Sequence, residues 1–110
     1  MNGNTKIRAV IQKIVQSLVA GYAPEKIILF GSYAYGQPDA DSDIDLLIIK
    51  ATQERFFERL NKVRRVATGT HPHVPFEPIV LTPEELEQRL EAGDQFLSEI
   101  VQKGEVLYAA

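Results

Sequence analysis

The chain has no cysteine, which excludes a disulfide framework and any thiolate metal site and fits a reducing cytoplasm. Long apolar runs are missing too: nothing approaches the ~18 residues that a membrane-spanning helix needs. Met1-Asn2-Gly3-Asn4 does not read as the start of a signal peptide. A cytoplasmic location with no membrane partner is therefore expected. Nor is there a strong excess of one charge. A formal net charge of -3 gives no general attraction for nucleic acid or anionic lipid, so no direct nucleic-acid partner is expected, and an anionic ligand must be held locally by a helix end, a metal or a few arginines. Repeats, low-complexity tracts and a separating linker are also absent. With 45% hydrophobic and 25% charged residues, the composition is that of an ordinary globular protein, and residues 1–110 read as one domain around one core.

What is present alternates between helical and extended patterns, the signature of an α/β (α+β) fold. From Thr5 to Ala20, Ile7, Val10, Ile11, Ile14 and Leu18 recur at helical spacing, with Asn4 or Thr5 as cap and Gly21 as stop. Lys26-Ile27-Ile28-Leu29-Phe30 reads as a strand buried on both faces. Ser32 can cap a single helical turn through Tyr35 that Gly36 closes, and Ser42 to Lys50 forms a second strand after a polar loop. A second amphipathic helix is predicted from Gln53 to about Thr68, on a face made by Phe56, Leu60, Val63 and Ala67. A strand follows from Val74 to Leu81, confined by Pro75 and Pro78 to an edge or an irregular pairing. Thr82-Pro83-Glu84-Glu85 is a capping box opening a helix with Leu86 and Leu90 facing inward. Gly93 interrupts, Phe96, Leu97, Ile100 and Val101 continue a last helix, and Gly104 precedes a short strand at Val106-Leu107-Tyr108.

One stretch points to chemistry. Asp43 and Asp45 stand at the mouth of the apolar run Leu46-Leu47-Ile48-Ile49, shortly after the turn Gly31-Ser32. Alternation along a strand sends both carboxylates to one side and Ile44 and Leu46 to the other. Two desolvated carboxylates so close repel unless a cation lies between them, and magnesium suits such oxygen ligands, completing its shell with water and substrate phosphates. Gly31 allows close backbone approach to a ligand, and Ser32 offers first-turn amides and a hydroxyl for phosphate oxygens, besides its capping role. Two ions sharing ligands require a third acid. Glu77, the acid set among apolar residues of the later strand, is the candidate for that place and for accepting a proton from an attacking hydroxyl; equally, it can be an ordinary exposed acid on an edge.

Gly31-Ser32, ten residues, then Asp43-Ile44-Asp45 resembles the signature of the DNA polymerase β-like nucleotidyltransferase superfamily. GSYAYG, SDIDLLII and VLTPEEL together resemble its minimal single-domain members (MNT), the antitoxin partners of HEPN-domain toxins. The likeness runs from the first helix to the Thr82 cap. It implies a small mixed sheet flanked by helices, with ATP as donor and two Mg2+ ions. In that scheme Gly31 and Ser32 contact the nucleotide, Asp43, Asp45 and Glu77 are catalytic and bind metal, and Glu77 replaces the family's third aspartate. It further implies transfer of AMP to a hydroxyl, a tyrosine, of a HEPN-domain RNase in a hetero-oligomer. The acceptor is expected from another chain, because 110 residues leave no room for an acceptor-gripping helical domain. The alternative is a catalytically weak or inactive nucleotide-binding module that neutralises its partner by binding alone. Transfer to a small molecule such as an aminoglycoside is a third option, disfavoured by the missing acceptor domain.

The remaining polar features read as structural. His71-Pro72-His73 is a loop, Arg55, Arg59, Lys62 and Arg65 form a solvated helix face with a Glu58–Lys62 pair, and Tyr33 and Tyr35 are packing residues.

Overall fold

The computed structural model describes residues 2–110; Met1, part of the chain-start reading above, lies outside them. The first apolar periodicity forms α1 (Asn2–Tyr22), so Asn4 and Thr5 are helical residues rather than the cap. Gly21 does not stop the helix. A Cβ there would meet Val66 at 2.9 Å, so the glycine serves the close approach of a neighbouring helix. The chain leaves α1 at Ala23, at φ 53°, whose amide donates to the Leu18 carbonyl at 3.1 Å.

The next run forms β1 (Lys26–Phe30) over the predicted span. A four-residue turn, α2 (Ser32–Tyr35), and a polar loop lead to β2 (Ile44–Ile49). α3 (Phe56–Ala67) crosses to β3 (Phe76–Leu81); α4 (Pro83–Glu91), α5 (Gln95–Lys103) and β4 (Glu105–Ala109) complete the chain. The second and third predicted strands and the second helix are trimmed at their ends, whereas β4 runs one residue further at each end. In particular, Asp43 lies one residue before β2, outside the alternation that was to set its direction.

The four strands form one mixed sheet in the order β3-β2-β1-β4. β1 is antiparallel to β2 and β4, and β2 is parallel to β3. Pro78 is tolerated because β3 is an edge strand, where an absent N–H breaks no ladder. Helices cover both faces. Ile27, Leu29, Ile44, Leu46 and Ile48 pack against α1 and α3, while Ile28, Phe30, Leu47 and Ile49 pack with Leu97, Ile100 and the half-buried Leu86 and Leu90 of α4 and α5. The expected single core is thus divided in two by the sheet. β1 and β2 are buried on both faces, which accounts for their lack of polar alternation.

Two caps hold the later helices. Thr82 Oγ1 accepts from the Glu85 amide at 3.1 Å and Glu85 Oε1 accepts from the Thr82 amide at 2.9 Å, the predicted capping box. Asp94 caps α5, accepting from the Leu97 amide at 2.9 Å.

The arginine stripe of α3 is not uniformly solvated. Arg59 is only 6% exposed. Its guanidinium donates to both oxygens of Glu85, at 2.7 and 3.1 Å, and to the carbonyls of Glu54 at 2.8 Å and Val80 at 3.3 Å. Burial of the cation is tolerated because its donors are matched. Lys62 pairs with Glu54 rather than Glu58, whose carboxylate folds back to the Arg55 amide. The histidines are loop residues: His71 Nδ1 lies 2.8 Å from the Val74 carbonyl and its ring packs on Phe76. Among the described residues no helix is long and apolar enough to cross a membrane.

Candidate functional site

The sheet register brings the predicted acids together. Asp45 pairs with Phe30 of β1 on one side and with Glu77 of β3 on the other. Partners in register share a face, here the face covered by α4 and α5, since the opposite positions Ile44, Leu46, Phe76 and Val80 belong to the core under α1 and α3. Asp45 is half-buried between an apolar strand end and this acidic edge.

Gly31 makes the corner possible. It has φ 74°, a region that side chains other than glycine's rarely adopt, and a Cβ added there would land on Oδ2 of Asp45, 3.1 Å from its carboxyl carbon. Glycine is needed for conformation and for space at once. Its carbonyl accepts from the Ala34 and Tyr35 amides, each at 3.0 Å. Gly31 is therefore itself the cap of α2 and Ser32 the first helical residue, which corrects the capping role expected of Ser32.

The Asp45 carboxyl is raised from an ordinary 3.8 to about 6, by burial first and then by the neighbouring carboxylates of Asp43 and Glu77. This concentration of like charge is what an oxygen-ligated divalent cation would relieve, so the donor set fits magnesium in kind. Its third member is not drawn in: Glu77 has a side chain 57% exposed, with Oε1 4.0 Å from Arg64. Among the described residues, no three carboxylate or histidine side chains are gathered closely enough to form a ready metal cage.

Gly31, Asp45 and Glu77 line one open cleft of about 470 Å³; Ser32 and Asp43 do not. Part of the cleft's lining was not legible in the sequence. It consists of Phe30 and Tyr35 with Phe96 and Glu99 of α5. Helical spacing places Phe96 on a packing face with Leu97, Ile100 and Val101, but it is 53% exposed. Helical spacing alone does not separate it from the core positions. Tyr33 packs into the core under α1 and α3, Tyr35 against the opposite one.

Residues 9–107 match the nucleotidyltransferase domain family. No curated protein sequence matches the chain. Among solved structures, a protein assigned as a nucleotidyltransferase from Sulfolobus solfataricus superposes with TM-score 0.64 at 23% identity, covering 94% of this chain and 82% of that one. A toxin–antitoxin structure with AMP-PNP gives TM-score 0.62 at 22% identity, covering 90% and 73%. A mutant of the toxin–antitoxin MntA-HpeT gives 0.62 at 20% identity, with the same coverage. At these identities the structures establish a shared fold, the mixed sheet between helices described above. With the family match extending over nearly the whole chain and the glycine corner set against a carboxylate-bearing strand, the chain belongs to the nucleotidyltransferase domain family.

Proposed function

We propose that this chain is a magnesium-dependent nucleotidyltransferase that moves AMP from ATP to a tyrosine hydroxyl of a partner HEPN-domain RNase toxin, acting as its cytoplasmic antitoxin. The observation that carries the reading is the fit of Gly31 against the Asp45 carboxylate, with Glu77 in register beside it. The toxin–antitoxin neighbours support a toxin as the partner, and the one with AMP-PNP supports an adenine nucleotide as the donor.

Residues 1–110 act as one minimal domain and the acceptor comes from the partner. Gly31 lets the triphosphate approach the backbone, and Ser32, the next residue along, would offer its amide and hydroxyl to the phosphate oxygens. Asp43, Asp45 and Glu77 would hold the metal, two ions in the full site, which would supply Lewis acidity and charge neutralisation. The acceptor oxygen bonds to the α-phosphorus as the bond from that phosphorus to pyrophosphate breaks, and the acceptor's proton passes to Glu77, whose carboxylate reaches solvent. Alignment of these groups in line is the fold's main contribution.

A second reading has its own support. Glu77 is longer than an aspartate and leans to Arg64, leaving the acids ungathered, as suits a module that binds nucleotide and neutralises its partner by covering it. Incubation with magnesium, labelled ATP and a candidate HEPN protein separates the two. Label on the partner with wild type, and none with Asp43→Ala, is expected for the enzyme. Inhibition of the partner without label would establish the binding module.

A further inference from the structure

α5 turns two well-buried side chains, Leu97 and Ile100, to the sheet. Phe96 is not needed for that packing. It meets Phe30 edge to face, centroids 5.8 Å apart at 86°, and leaves about half its surface open, 53%. Glu99 follows three positions later, on the same helix face, and both line the cleft that holds Gly31 and Asp45. Among the described residues, the only polar contact of the Glu99 side chain is a 3.5 Å ion pair with Lys103 one turn on, exposed on both sides, and such pairs contribute little.

We propose that Phe96 and Glu99 form the nucleobase subsite of this cleft: the phenyl ring stacks on the base, and the carboxylate accepts a hydrogen bond from an exocyclic amino group. The inference rests on the cleft being a nucleotide site and adds its base specificity. An open π-face suits any planar base. Selectivity then falls to Glu99. An ionised carboxylate is acceptor-only, so it pairs with the exocyclic amino group of adenine, whereas uracil offers it a single ring N–H flanked by two carbonyl oxygens that repel it. The carboxylate also repels phosphates, which favours the Gly31 corner for the triphosphate. Amino-bearing nucleotides should therefore bind more tightly than uridine nucleotides.

The test is titration of the full chain with Mg-ATP and Mg-UTP, followed by calorimetry, for wild type, Phe96→Ala, Phe96→Trp, Glu99→Gln and Asp45→Asn, with thermal melts of each. Phe96→Ala should weaken ATP about tenfold or more, and Phe96→Trp should restore it. Glu99→Gln should bring the ATP and UTP affinities together. Both side chains are exposed, so melting temperatures should stay close to wild type. Wild type binding ATP and UTP equally, or Phe96→Ala binding ATP as wild type does while Asp45→Asn does not, overturns this subsite and leaves the nucleotide site standing. Wild type binding neither nucleotide overturns both.

Discussion

The Asp45 carboxylate occupies the position that a side chain at residue 31 would need: an added Cβ lies 3.1 Å from its carboxyl carbon and nearer still to Oδ2. Gly31→Ala must therefore displace the acid as well as strain a backbone held at φ 74°. A loss of about 2 kcal/mol is expected, seen as a fall in melting temperature of roughly 10 °C, together with loss of Mg-ATP binding. Ser32→Ala is the contrast. Because Gly31 caps the turn, this change should leave the melt unaltered and weaken nucleotide binding alone; an equal loss of stability would return Ser32 to a capping role.

Asp45 also predicts an unusual dependence on pH. Its folded carboxyl titrates at about 6 instead of 3.8, so the folded chain binds the proton more tightly than the unfolded one does. Ionisation then opposes folding: the metal-free protein loses stability as pH rises from about 4 through about 6, and the full penalty persists above. Since Asp45 is only half-buried, solvent screening reduces this to about 1 kcal/mol. Asp45→Asn should therefore be the more stable protein at pH 8 and gain nothing at pH 4 in urea unfolding. Magnesium should narrow the gap by stabilising wild type only. A wild type as stable as Asp45→Asn at pH 8 without metal would rule out the strained carboxylate.

Glu77 separates the two functional readings. Its side chain is largely exposed, so Glu77→Ala and Glu77→Asp should each change stability by less than about 0.5 kcal/mol. For the enzyme, Glu77→Ala abolishes label transfer while nucleotide still binds, and Glu77→Asp keeps or raises it. Unchanged neutralisation of the partner by Glu77→Ala, with no transfer by any variant, fits the binding module.

Arg59 is the structural counterpart. Replacing it by leucine removes donors to Glu85, Glu54 and Val80 and should cost about 3 kcal/mol in denaturant unfolding. The Glu85 carboxyl is held below its ordinary 4.5 by its hydrogen bond to Arg59. That contribution is present above pH 4.5 and lost as pH falls through the lowered folded value. Arg59→Leu should flatten this acid limb of the stability curve; an unchanged limb would mean that the pair adds nothing.

Much of the local structure was legible in the residues. β1, the Gly36-closed turn, the Thr82–Glu85 capping box and the Gly93 break follow from apolar runs, caps and glycines acting within a few residues of one another. Where a helix began or ended against another helix, the same signals misled: Gly21 looked like a stop because its partner Val66 lies far along the chain.

The sequence by itself determined which segments are helix or strand, which acids stand at the end of a buried strand, and that a glycine precedes a helical turn. Only the tertiary structure decided that Asp45 lies between Phe30 and Glu77, that Arg59 is buried on Glu85, and that Phe96 faces a cleft. The reason is physical. Periodicity and capping involve neighbours in the chain, whereas the parallel register of β2 with β3, and the helix that covers their acidic end, are chosen by burial of apolar surface between distant segments, which no short window contains.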